Sequence, residues 1–213
     1  MQQERAVRTR ERLVRAAARI FDEQGLAAAS VQEISRLAGV SKGALYFHFA
    51  SKEHLADAVR AASGRRLASA ASELLDQGVP PVHALVQLSR LAGTWLAEDV
   101  TVRAAVRLVH EQQEQARART VPDFCDELRA TAWRLLQLAD DRKELREGLP
   151  LHGCAVLVTG LLFGLERLAH SDGSYERLAD FSDAAWNVLL PTLSTDPWQA
   201  LPIIEKSPVP FWE

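Results

Sequence analysis

SVQEISRLAGVSKGALYFHFASKEHL, residues 30–55, punctuates itself as two short helices, a tight turn between them and the start of a third helix. Ser30 followed by Glu33 is the capping-box pattern, in which the hydroxyl accepts from an early helical N–H while the carboxylate reaches back. Val31, Ile34 and Leu37–Ala38 then recur on one face at helical spacing. Gly39 stands where that helix must stop, because an L side chain is strained in the left-handed backbone of such an end. One residue later Ser41 is placed to cap a second short helix whose apolar positions are Leu45 and Phe49. Two helices joined by a Gly-containing turn match a helix-turn-helix, which lays its second helix in the DNA major groove.

The polar positions left on that second helix are the candidate DNA contacts. Ser41 and Lys42 lie at its N-terminus, the end that meets base edges, and a lysine there can donate to guanine O6 and N7. Gly43 and Ala44 are small enough for the backbone to approach the groove floor. Tyr46, His48 and Lys52 are donors one turn on, suited to phosphate oxygens. Tyr46-Phe47-His48-Phe49 also reads as an aromatic core patch with two polar tips, and Leu45 and Phe49 are assigned to the core. Ser30 and Gln32, at the start of the first helix of the pair, and Arg5 and Arg8, on an N-terminal arm, complete the DNA-binding set, although a solvated charged tail suits either arginine as well.

Residues 9–59 resemble the DNA-binding domain of TetR-type transcriptional repressors. The residues that carry the likeness are Phe21, Gly25, Ile34, Ala38-Gly39-Val40-Ser41-Lys42-Gly43, Leu45-Tyr46-Phe47-His48-Phe49, Ser51-Lys52-Glu53 and Leu55. The run GALYFHFASKEHLA, with Val102-Arg103-Ala104-Ala105-Val106-Arg107-Leu108 further on, is similar to the γ-butyrolactone-receptor branch of that family.

Composition agrees once its distribution is considered. The whole 213-residue chain carries a formal charge of −3, which alone argues against a general nucleic-acid binder. Residues 1–60, however, hold ten Lys+Arg against seven Asp+Glu, and the first 20 residues hold six arginines against two glutamates. The basic footprint is therefore N-terminal, and the remainder is acidic, ordinary protein. Cys125 and Cys154 make neither a disulfide framework nor a metal site and suit a reducing cytoplasm as small buried hydrophobes. No apolar run reaches about 18 residues, so no membrane partner is expected. MQQERAVRTRER has no apolar signal region, so no secretory leader is expected.

An all-α fold of about nine helices is predicted, with a three-helix DNA-binding domain at 1–50 and a helical ligand-binding and dimerisation domain at 51–213. Residues 1–8 are read as an irregular arm, and Thr9 to Gln24 as the first helix, ended by Gly25. A long helix opens at Ser51, runs to about Gln77 and can bend at Gly64. Gly78-Val79-Pro80-Pro81 breaks it, and helices follow near 81–97, 99–114, 122–140, 151–170 and 175–194. Trp198, Ile203, Ile204, Phe211 and Trp212 in the Pro-interrupted tail would be costly to leave wet together, at about 25 cal/mol per Å², so part of residues 195–213 is expected to dock on the body.

LPLHGCAVLVTGLLFGLERLA, residues 149–169, is apolar almost all round and is therefore buried on more than one side. Family resemblance implies that it pairs with 175–194 across a four-helix interface between two copies. The candidate interface set is Gly153, Val156, Gly160, Leu161 and Gly164, with Leu178, Phe181, Ala185, Trp186 and Leu189; the same residues also suit a monomer core. Leu85, Leu88, Trp95, Val106, Val109, Trp133 and Leu136 can line an apolar pocket closed by His110, Gln112, Thr131 or Thr159, although each also suits plain core. In the receptors that this chain resembles, a tryptophan early in the seventh helix contacts the lactone. Glu127 stands there in this sequence, and Trp133 follows nearly two turns later.

There is no Gly-rich phosphate loop and no GxSxG, and the six histidines show no i,i+4 metal pair, so neither an enzyme nor a cofactor is expected. The resemblance implies a ligand-responsive repressor, two copies of which place their reading helices in successive major grooves of a palindromic operator. The alternative is a regulator of the same fold with another effector or none.

Overall fold

The computed structural model describes residues 2–111 and 123–194. Among them the chain is all-α, its one β feature being an isolated bridge between Leu145 and Ser194. In order the helices are α1 Gln2–Ala28, α2 Val31–Leu37, α3 Lys42–His48, α4 Lys52–Asp76, α5 Pro81–Glu98, α6 Val100–Glu111, α7 Phe124–Asp141, α8 Leu151–Asp172 and α9 Leu178–Leu193. The 195–213 tail and Gln112 lie outside the described residues. Two compact units emerge, Met1–Ala68 with Glu98–Leu128, and Ser69–Ala97 with Arg129–Glu213. The expected division at residue 50 thus falls inside the first unit, which also takes α6.

The first unit is built around the face of α1. Leu13, Ala17, Ile20 and Phe21 recur at helical spacing and are buried with Ile34, Leu45, Phe49, Leu55 and Val59. Ala104, Ala105 and Leu108 of α6 complete that core, which gives the 102–108 segment its place in the first unit. Polar clasps reinforce the α1–α6 pairing. Arg103 Nε donates to Asp22 Oδ2 at 3.1 Å, and Arg107 donates to Glu111 at 2.8 Å and to the Asp22 carbonyl. Glu111 in turn accepts from the Leu26 N–H at 2.9 Å, just past Gly25, whose φ of 77° breaks α1. That φ favours glycine, and a Cβ there would also strike the Glu111 carboxylate.

Several expectations need correcting in this unit. Residues 2–8 are not an irregular arm: they are the first turns of α1, with Arg5 and Arg8 exposed on it. The capping box does not form. Ser30 makes no side-chain cap bond, and Glu33 accepts from Gln24 Nε2 at 3.2 Å instead. Leu37 leaves the buried face of α2, where Ile34 and Ala38 suffice for a helix of seven residues. Helix α4 continues through Gly64 without a break; the glycine lets the backbone of Asp123 approach, with Asp123 O only 3.4 Å from where a Cβ would stand.

In the second unit, Trp186 is fully buried. Its Nε1 donates to Ser89 Oγ at 2.6 Å, and Ser89 and Ser182 hydroxyls share a 2.9 Å bond. Leu178 is also buried, beside Gly93, which has no Cβ to keep the backbone of residues 178–179 away. Of the interface set, these two take the alternative place in the core, because α5 offers an apolar wall with a hydroxyl that satisfies the indole. Burial raises the Asp183 carboxyl, an effect that Arg90 at 2.9 Å opposes and Asp180 reinforces.

By length and composition alone Leu151–Ser171 of α8 would be long and apolar enough to cross a membrane, a test that the core helix of a folded protein also passes. Glu166 and Arg167 interrupt it, and it packs on α9. Cys154 is buried, which pushes its thiol up, whereas Cys125 is only half-buried.

Candidate nucleic-acid interface

The turn between α2 and α3 is closed by backbone bonds at the C-terminal end of α2. Gly39, at φ 63°, donates to Arg36 O at 3.1 Å, and Val40 donates to Ser35 O at 3.0 Å, the paired bonds of a left-handed helix end. Arg12 Nη2 adds a 2.5 Å bond to the Ala38 carbonyl. Ser41 then accepts from the Ala44 N–H at 3.1 Å and starts α3. The turn is therefore a rigid joint, held from both helices and from α1.

Helix α3 has two unlike sides. Leu45 and Phe49 are buried behind it, Arg10 lying 5.1 Å over the Phe49 ring. Ser41, Lys42, Gly43, Tyr46 and Phe47 are exposed in front. Lys42 Nζ sits 5.9 Å over the Tyr46 ring, an approach that aligns the two side chains along one stripe. His48 is half-buried on the flank, where with Arg10, His54 and Asp57 it lines a cleft of about 390 Å³. A second, open cleft of about 600 Å³ is lined by Arg12, Arg15, Arg19, Leu37 and Thr101, among others. Ser30 and Gln32 are exposed at the start of α2.

Lys52 does not fit the phosphate role expected of it. Its Nζ donates to the carbonyls of Ala27 and Ala29, at 3.1 and 3.0 Å, neutralising the C-terminal end of α1. The Ser51 hydroxyl, which accepts from the His54 N–H at 3.3 Å, caps α4 beside it. A hydrogen bond from Ser51 also holds the Glu53 carboxyl below its usual range. Replacing Lys52 with Met should lower stability by about 1–3 kcal/mol by leaving those carbonyls without a charged donor. Urea unfolding measures this, and the salt dependence of DNA binding should stay that of the unmodified chain.

The family model of bacterial regulatory proteins of the tetR family matches residues 13–59, which run from the core of α1 through α2 and α3 into α4. The chain is 31% identical over 192 residues, 90% of its length, to the A-factor receptor protein of Streptomyces griseus, and spans 66% of that relative.

This chain belongs to the TetR family.

Within the TetR family its relations are with the γ-butyrolactone receptors. The crystal structure of a γ-butyrolactone receptor described as ArpA-like superposes with a TM-score of 0.72 and 27% identity, covering 90% of each chain. The TetR family protein CprB from Streptomyces coelicolor, in complex with its biological operator sequence, gives 0.71 and 27%, covering 90% of this chain and 91% of that one. These TetR-family likenesses make the chain a DNA-binding transcription regulator with a helix-turn-helix.

The remaining expected site residues fall in both units. Val106, Val109 and His110 lie on α6 in the first, and Leu85, Leu88, Trp95, Thr131, Trp133, Leu136 and Thr159 in the second. Leu85, Leu88, Val106, Thr131 and Leu136 are buried. Trp133 departs from the expected lining: its ring is exposed and meets His152 edge-on at 6.2 Å. The Thr159 hydroxyl donates to Ala155 O at 2.7 Å within its own helix. Of the interface set, Val156, Gly160 and Gly164 are exposed, and Gly153, Leu161, Phe181, Ala185 and Leu189 are half-buried. Leu157, Leu168 and Val188, which lie outside that set, are exposed as well.

Proposed function

We propose that the chain is a cytoplasmic repressor that binds a palindromic operator as a homodimer and is released by a small-molecule effector. The observation that carries this reading is the outward face of α3, where Ser41, Lys42, Gly43 and Tyr46 stand exposed on a helix anchored by Leu45 and Phe49. Two such helices, one per subunit, would enter successive major grooves about 34 Å apart. The apolar stripe Val156, Leu157, Gly160, Leu168 on α8, with Val188 on α9, is the surface through which two copies would join. Effector binding in the helical part would favour a state in which α4 has swung, taking the readers out of register with the groove. The coupling required is about 1–3 kcal/mol between the two states. Because α6 is clasped to α1 by Arg103, Arg107 and Glu111, a displacement of α6 would reach the reading head directly.

Binding titrations with operator duplexes test the DNA part. Lys42→Ala should cost about 1–3 kcal/mol on the cognate site and relax preference at one base pair. Tyr46→Phe should weaken binding on all sequences alike. An unchanged affinity for Lys42→Ala would mean that α3 is turned differently on the duplex.

A second reading keeps the regulator and changes the effector. Glu127 stands in the first turn of α7, where the resemblance implies a tryptophan, and its Cβ lies against Gly64. Thermal-shift and operator-release assays with a γ-butyrolactone beside chemically unrelated ligands distinguish the two readings.

A further inference from the structure

Phe47 is 83% exposed, more than any other large apolar side chain among the described residues, and it stands on the helix assigned above to DNA. Its neighbourhood makes that exposure informative. Phe47 follows Gly43 by four residues, so both lie on one face of α3. Long side chains on a helix lean toward its N-terminus, which brings the phenyl ring over the turn that holds Gly43. There it finds open space, since a Cβ built at Gly43 would meet nothing but Ser41 Oγ at 3.9 Å. The N-terminal turn is the part of a recognition helix that meets base edges. Lys42 and Tyr46 form the adjoining polar stripe, while His48 meets the Phe47 ring edge-on, with centroids 5.3 Å apart.

A phenyl ring neither donates nor accepts, so it cannot read the hydrogen-bonding groups of a base pair. The one apolar feature that B-DNA presents in the major groove is the C5-methyl of thymine. We infer that Phe47 is a specificity-determining residue that packs on a thymine methyl in each half-site, with Gly43 leaving the room for that base to approach. This inference rests on the reading of α3 as the DNA helix. It adds a second determinant beside Lys42: one residue for a guanine edge, another for a methyl group.

The test uses the full-length protein and duplexes selected by it from a random pool. Each thymine of the selected site is replaced singly by deoxyuridine, which deletes the methyl and leaves base pairing intact. For the unmodified protein, one position per half-site should lose about three- to fivefold in affinity, the value of roughly one buried methyl. With Phe47→Ala that position should become indifferent to the methyl while the others keep their profiles, and Phe47→Leu should restore part of the preference. Unchanged thermal melting of both variants, expected from the ring's exposure, separates this from a folding defect. A flat deoxyuridine scan, or a Phe47→Ala loss that is the same at every site, overturns the inference while leaving α3 as the DNA helix. Failure of the unmodified protein to select any duplex overturns that underlying reading as well.

Discussion

Leu45→Ala is expected to destabilise the first unit by about 2–5 kcal/mol and to abolish operator binding in the same step. The side chain is fully buried in a core shared with Leu13, Phe21, Ile34 and Leu55, so its removal takes away both transfer free energy and packing. Little can collapse into the gap, because α2 and α3 are tied through the Gly39 turn and Arg12. A seven-residue helix has no stability of its own and exists through its tertiary contacts. Loss of the anchor therefore disorders the surface that carries Lys42 and Tyr46. Urea unfolding followed by circular dichroism gives the first number, and anisotropy with labelled operator gives the second. A loss below about 1 kcal/mol would show that α3 is held from elsewhere.

If the proposed homodimer joins through the apolar stripe of α8 and α9, Leu157→Asp combined with Val188→Asp is expected to convert it to monomer. The two residues are 62% and 75% exposed in the single chain, on the α8 and α9 faces turned away from Trp186 and Leu178. In a two-fold interface each substitution acts twice. Burying an uncompensated carboxylate costs about 3–5 kcal/mol, more than an interface of ordinary affinity can absorb. Sedimentation equilibrium should show the monomer mass, with helicity by circular dichroism retained. Binding to a full palindrome should fall to the level of a single half-site. A variant that stays dimeric would place the subunit contact on another face.

The helix-turn-helix was legible because its signals are local. Gly39 needs a positive φ, Ser41 caps three residues ahead, and Leu45 and Phe49 leave one face to solvent whatever surrounds them. The Ser30–Glu33 box failed for the opposite reason: Gln24, distant enough in sequence to be invisible to a local pattern, competes for Glu33. Lys52 looked like a phosphate ligand beside Lys42 and Tyr46, yet its position at the end of α1 depends on the packing of α4, which spacing does not record. Orientation was least legible in α8 and α9. A helix that is apolar nearly all round has no preferred inward side, and the inward turn of Trp186 was decided by a hydroxyl on α5, Ser89, about a hundred residues away. Neither the Arg103–Asp22 pair nor the Glu111 bond to Leu26 could be foreseen, since they join residues more than 80 apart.

That α6 supplies Ala104, Ala105 and Leu108 to the same hydrophobic interior as Leu45 has a consequence for protein engineering. The portable reading head of this chain is discontinuous. A chimaera that grafts only residues 1–68 onto a foreign sensor would open a hole beneath α1 and strand Asp22 without its arginines and the Leu26 N–H without the Glu111 carboxylate. Specificity swaps between relatives should therefore be cut so that residues 98–111 travel with the head, or be confined to the outward positions of α3.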